Sequence, residues 1–572
     1  MIESKYIAVI TASLLCICLI VCGLIVYAAN AFDTTNIPEY QRRMFGDEII
    51  TIDIQVGEND WQDLLDNATT KEWIAGDLII NGERFNTVGI RTKGNSSLSQ
   101  GMRSNDDRYS LQFKFNKYIK GQTYYGLDTF CVNNLMGDAT YMKDYLSYEI
   151  MKYIGVATPL TNYANVTING EDYGFFLALE RYDKAFLDRV YNTSAGQLYN
   201  VKIQMGMRGN FENMWQNATS EILTPERGGM RFSGSGGGSL VYTDDKINSY
   251  SAIFDNAVFN NNSDKDKQRV IKAIKNLNAG LDLEKYLDVN EILRYFAAHT
   301  VVVNLDSYIS NMQQNYYIYE HSGKITILPW DYSLAFGGFQ SGNASSVVNF
   351  PIDTPVSGVS MEERPLLNVL LNVEEYRERY HEYLRQIVEG YFESGLYENT
   401  IMALDSKISE YVKNDASALY TFEQYKASLP ILIELGRLRS ESVKGQLDGT
   451  IPSTSNGQNA DNSSLINASS INLSALGSMM GGGGMGQNDW GMFGNRFPGS
   501  EVENTFPRGN NNFGRQGNSV NAPQQGMNNM AGVASQNGIN IEYAIIIGMS
   551  LILLIGAIVF VAKPRKNNSL NN

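Results

Sequence analysis

A chain of 572 residues, 43% hydrophobic and 19% charged, carries enough apolar matter for one large folded domain or two average ones. Its formal net charge of −15 argues against nucleic acid as the main partner, since phosphate backbones are gripped by basic surfaces. The three histidines (His299, His321, His381) stand far apart, and Cys131 is the one cysteine outside the first apolar stretch, so neither a zinc site nor a disulfide framework is expected.

In chain order, residues 6–28, YIAVITASLLCICLIVCGLIVYA, are apolar over about the length that spans a bilayer. Residues 1–31 therefore read either as a cleaved signal peptide or as a retained membrane anchor. A second apolar stretch, 541–562, is followed at once by Lys563, Arg565 and Lys566, so it reads as a transmembrane helix with a cytoplasmic tail at 563–572. What lies between the two is expected outside the membrane, giving a cell-membrane protein whose main domain is extracytoplasmic.

The dense globular pattern runs over 47–449. Period-two alternation in EIITIDIQV, AGDLIINGERFNTVGIRTKGNSS and RYSLQFKFNKY predicts strands over 47–135, and a helix is expected at about 138–154. YANVTINGEDYGFFLALERYD reads as a hairpin turning at Asn169-Gly170. From 181 to 449 helices dominate, with an isolated hairpin in NYYIYEHSGKITILPWD that turns at Ser322-Gly323. A strand-rich part at 47–180 is thus followed by a helical part. Residues 450–538 turn rich in Gly, Asn, Gln and Met and are expected to form a flexible tether, because so few aliphatic side chains cannot offset the entropy of ordering.

Chemistry concentrates in two stretches that flank the second hairpin. In NLDSYISNMQQNYYIY, Asp306 follows an apolar run and Asn311 comes five residues later, the aspartate-to-asparagine spacing of a protein kinase catalytic loop. PWDYSLAFGG then sets Asp331 where a kinase carries its metal-binding aspartate. Magnesium takes hard oxygen ligands and keeps several waters, so Asp331 with the amide of Asn311 or Asn315 and nucleotide phosphates would suffice. IRTKGNSS offers Arg91, Lys93, Gly94, Asn95 and Ser96 in one turn, suited to phosphate contact or equally to a solvated hairpin tip. On the predicted helix, Glu149 lies in the apolar stripe of Met142, Tyr145, Leu146 and Tyr153 and needs a partner. Lys114, which shares a strand face with Ser110 and Gln112, is one candidate; a solvated Lys114 with Glu149 at the stripe's edge is the other.

At these residues the chain resembles the CotH kinase family, the spore coat protein H group of atypical secreted protein kinases. The resemblance runs from about Thr51 to Leu447 through GIRTKGNSS, TYMKDYLSYEIMKYIGV, INGEDYGFFLALERYDKAFL, NLDSYISNMQQNYYIY and LPWDYSLAFGG. It implies an α+β, bilobal protein-kinase-like fold and ATP-dependent phosphorylation, with magnesium or manganese, of Ser/Thr in exported, coat or cell-surface proteins. It also implies Asp306 as the catalytic aspartate, Asp331 as the metal-binding aspartate and Glu149 as the helix glutamate. Two positions depart from the family: Gln112 stands where many members have the strand lysine, and Gln314 where many have a histidine. The competing function is a kinase-like surface binding or envelope-assembly protein without turnover.

Overall fold

The computed structural model describes residues 37–94, 98, 107–202 and 237–477. Both apolar segments, and with them Asn95 and Ser96, lie outside the described residues. Among the described residues no helix is long and apolar enough to cross a membrane.

Strict alternation closes the first part of the chain into a barrel. The strands are β1 (Ile50–Gln55), β2 (Ile74–Ile80), β3 (Glu83–Thr92), β4 (Leu111–Lys114), β5 (Thr129–Asn133), β6 (Thr161–Ile168) and β7 (Glu171–Glu180), in the order β1-β2-β3-β4-β5-β7-β6. Parallel pairing of β6 with β1 shuts the ladder; the other neighbours run antiparallel. Ile52, Ile54, Leu78, Ile90, Phe113 and Phe130 fill the interior, so β3 to β5 turn Arg91, Gln112 and Asn133 outward. The Asn169-Gly170 turn forms as expected, with both residues at positive φ (52° and 85°), the geometry a tight hairpin needs. Helix α1 (Glu39–Met44) precedes the barrel, and α2 (Glu58–Asp66) interrupts the run that alternation assigns wholly to strands.

Helix α3 spans Lys143–Tyr153, later than the predicted start. Residues 138–142 make a turn tied by Asp138 instead. Its Oδ1 accepts from the Thr140 backbone N–H (2.9 Å) and hydroxyl (2.5 Å), and its Oδ2 from the Lys143 N–H (2.8 Å). A short side chain that captures nearby amides holds the backbone out of a helix.

The later part is built on α4 (Lys184–Tyr191), α5 (Asp264–Ala279), α6 (Val289–Val302), α7 (Glu374–Ile387), α8 (Leu396–Asn414) and α9 (Phe422–Leu447). Its sheet has three strands rather than the expected pair. β9 (Tyr316–His321) and β10 (Lys324–Pro329) turn at Ser322-Gly323, and β8 (Gln197–Val201) adds antiparallel to β9, with Gln197 opposite Glu320 and Val201 opposite Tyr316. Arg108 stitches the barrel to the helices: its guanidinium reaches Asp415 at 2.8 Å, both side chains being buried. Breaking one partner of such a pair leaves an uncompensated charge and costs about 3–5 kcal/mol.

The tether expected from 450 does not begin there. Residues 450–477 pack on the helical part: Ile466 and Asn349 exchange two hydrogen bonds, and Leu473 and Leu476 are buried. These residues have few aliphatics, but those few reach the hydrophobic surface that the helices supply.

Candidate active site

Helix α6 stops at Val303, whose positive φ (48°) is costly for a β-branched residue and turns the chain sharply into Asn304, Leu305 and Asp306. Asn304 locks the turn at both ends. Its Oδ1 accepts from the Asp306 N–H (3.1 Å), and its Nδ2 donates to the Asp331 carbonyl (2.9 Å). The Asp306 carboxylate accepts from Gln314 Nε2 on one oxygen (2.8 Å) and from Asn315 Nδ2 on the other (3.0 Å). Gln314, where the family often has histidine, therefore still holds the aspartate. Asn315 touches Asp306, while Asn311 sits on the same loop just after Ser310.

Arg364 clamps that loop. Its fully buried guanidinium donates to the carbonyls of Tyr308 (2.6 Å) and Ser310. His299 braces it from behind. The Ser307 hydroxyl donates to the Asn304 carbonyl (2.7 Å), so Ser307 Oγ accepts from His299 Nε2–H (3.0 Å), leaving Nδ1 to accept from the Tyr332 hydroxyl (2.7 Å). Burial holds this imidazole neutral, its pKa pushed down to about 3.

Asp331 leaves β10 at φ 62°, a left-handed conformation unusual for a residue with a side chain. Its N–H donates to Tyr148 Oη of α3 (3.1 Å), and its Oδ1 accepts from Ser333 Oγ (3.0 Å). The helix carboxylate that meets it is Asp144, not Glu149. Asp144 is fully buried, accepts from the Tyr332 N–H (2.6 Å) and from Asn133 Nδ2 (3.2 Å), and has its pKa pushed up to about 7 by burial and then by the Asp331 charge. The same two causes push Asp306 up to about 6. Asp144, Asp306 and Asp331 thus form one electrostatic unit.

Lys93 bears on Asp144, and other cations gather around Lys93. Lys93 Nζ donates to Asn133 Oδ1, and Asn133 in turn donates to Asp144, so lysine and aspartate are joined through one amide. Lys93 and Arg181 both lie against the ring of Trp330, at 5.6 and 4.7 Å from its centre. Burial, and then the charges of Arg181, Lys71, Arg91 and Lys93, push Lys202 down to about 8. Gln112 accepts from Arg91 Nε (3.2 Å) and Nη2 (2.9 Å), which orients that guanidinium. Gly94, at φ 108°, turns the chain away directly after Lys93.

Lys114 and Glu149 are not brought together. Glu149 ion-pairs with Lys152 on its own helix (3.5 Å) and lines a polar cavity of about 730 Å³ with Tyr145, Arg189, Glu291 and Lys407. Lys114 lies in register between Gly89 and Thr129, and its charge acts on Asp128. A helical wheel places Glu149 on the buried stripe, but the stripe's neighbour there is that open cavity. Asp144 carries no distinguishing signal in the sequence, because an acidic residue in a helix's first turn is ordinary. Lys71, Arg181, Lys202 and His299 have no local signal at all; only the fold collects them.

The donor set suits a hard divalent ion. Among the described residues no three His, Cys, Asp or Glu side chains can hold an ion by themselves. A carboxylate such as Asp331 with one or two further oxygens is the kind of donor set in which nucleotide phosphate and water would complete a hard divalent ion's shell.

The carboxylates of Asp144 and Asp306 thus meet the Asp331 charge, with Lys93 and its neighbouring cations beside them. Residues 90–443, more than half of the chain, match the model of the CotH kinase protein family, and the chain belongs to that family. Among individual proteins it is similar to the inner spore coat protein H of Bacillus subtilis (strain 168), with 22% identity over 334 residues that cover 58% of this chain and 81% of the relative.

Proposed function

We propose that this protein is an ATP-dependent protein kinase that phosphorylates Ser/Thr of exported, coat or cell-surface proteins. In this reading the barrel and helical parts are the two lobes of a kinase-like fold, and the apolar segment at 541–562 tethers the domain to a membrane with its bulk outside. The observation that carries the reading is that Asp144 and Asp306 both feel the Asp331 charge, while Lys93, one of a cluster of cations with Lys71, Arg91, Arg181 and Lys202, bears on Asp144.

Each residue has a task. Asp306, held at both oxygens, accepts the acceptor hydroxyl's hydrogen bond and takes its proton as the oxygen attacks the γ-phosphorus. A pKa near 6 leaves it ionised at neutral pH yet basic enough to help. Lys93 and the arginines grip the phosphate chain and stabilise charge that moves onto the leaving oxygen. Asp144 orients Lys93 through Asn133, the work a glutamate does in other kinases. Magnesium or manganese, when bound, supplies positive charge against the phosphates; Asp331 would hold it, with Asn311 and Asn315 as the amide candidates.

The test is transfer of label from radiolabelled ATP to exported proteins, or to the chain itself, in the presence of magnesium or manganese. Asp306→Ala is expected to lower the rate by about 10²–10⁴-fold. Equal labelling by wild type and Asp306→Ala, or no ATP binding by either, would leave a kinase-like surface binding or envelope-assembly protein.

A further inference from the structure

The segment after α9 crosses the helical part and ends on the helix that carries Asp144. From Ile466, which is paired with Asn349, it passes Ala468, whose N–H donates to Ser345 Oγ (2.9 Å), and buries Leu473 and Leu476. A Cβ built on Gly337 would stand 3.5 Å from Leu473, so the segment also covers the turn that follows Asp331. At its end the Leu476 carbonyl accepts from the Ala139 N–H (3.1 Å), and the Gly477 carbonyl accepts from Lys143 Nζ (2.9 Å).

Lys143 is an unusual residue to find there. It is fully buried one position before Asp144, and its second hydrogen bond goes to the Gly137 carbonyl (3.1 Å). Its charge faces Asp138, also fully buried, and burial pushes its pKa down to about 8 against that attraction. Burying an ammonium is costly and is offset only when every donor is used well. Here one of those acceptors comes from a segment 334 residues away in sequence. Gly477 fits so closely that a Cβ would lie 2.7 Å from the Ala139 nitrogen and 2.9 Å from the Gly137 carbonyl, at a φ of 74° that disfavours any side chain. The segment lies beyond the 90–443 match, outside the family domain as its model defines it.

We infer that residues 466–477 are an intramolecular strap that sets the first turn of α3, and hence Asp144, against the Asp331 segment, with Lys143 as its positioning residue. The strap touches both walls of the carboxylate unit and neither carboxylate itself. Loosening it lets Asp144 drift from the Tyr332 amide and from Asn133, which weakens the hold on Lys93 and on nucleotide. The functional consequence rests on the proposed ATP site; the mechanical coupling does not.

The experiment uses the full chain with Gly477→Ala, which wedges the strap off the 137–139 turn, and Lys143→Met as the stronger variant. Hydrogen exchange needs no nucleotide and is read over 138–148, with α7 as the internal control. Both variants are expected to speed exchange over 138–148 by about tenfold or more while α7 stays unchanged. In the same samples the magnesium-ATP concentration for half-maximal binding should rise severalfold, with kcat changing less than KM. Unchanged exchange over 138–148 in both variants, or equal acceleration throughout the domain, overturns the coupling. If the exchange result holds while wild type binds no ATP, the strap stands and the kinase reading fails.

Discussion

The two ends of α3 present carboxylates to opposite worlds. Asp144, at the start, is sealed from solvent, pinned by Tyr332 and Asn133 and pressed against the Asp331 charge. Glu149, five residues on, is about 31% exposed at its side chain, shares a weak contact with Lys152 and faces an open hollow. Both are acids on one short helix, yet only the first is held where a charge can be used. Burial alone does not make the difference; Asp144 is buried against groups from β5 and from the segment after β10, and each constrains it in a different direction.

The largest effect that would sharpen this contrast is expected from Asp144→Ala. It should lower phosphotransfer by about 10²–10³-fold, the scale of losing one preorganised electrostatic contact, as measured by single-turnover labelling. Lys93→Ala comes next, with a loss of about 10²-fold that falls mainly on ATP affinity, because the remaining cations still receive the phosphates. If Lys93→Ala leaves ATP binding intact, the amide bridge through Asn133 has no role in the site.

A smaller effect is thermodynamic. The raised pKa values of Asp144 and Asp306 mean that the folded state holds protons more tightly than the unfolded chain does. The associated stability is complete below about pH 4 and is lost as pH rises through about 6 and 7. Denaturant melts of the metal-free protein should thus weaken by a few kcal/mol between about pH 5 and pH 8. Asp144→Asn should flatten that slope, and magnesium with ATP should restore stability at the alkaline end. At the bottom of the scale, Glu149→Gln and Lys114→Ala are expected to stay within about 0.5 kcal/mol in stability and twofold in rate. A strong loss from Glu149→Gln would mean that the two ends of α3 had been assigned the wrong way round.

Features set by near neighbours are legible in the sequence itself. The left-handed turns at Asn169-Gly170 and Ser322-Gly323, the alternation that points Phe113 into the barrel and Gln112 out of it, and the spacing of Asp306, Asn311 and Asp331 are local patterns. Asp144 escapes because nothing in KDYLSYEI says which face meets Asp331. β8 escapes because QLYNV acquires its partner, β9, more than a hundred residues later. The strap escapes for a third reason: its composition matches a disordered linker, and its order comes from Asn349, Ser345 and Lys143, which composition cannot register.

The parallel pairing of β6 with β1 has a consequence of its own. It gives every strand of the barrel two neighbours, so that sheet offers no raw edge on which another chain could lay a strand. The strand edges that most often let one folded chain recruit another into an ordered aggregate are therefore closed in this barrel.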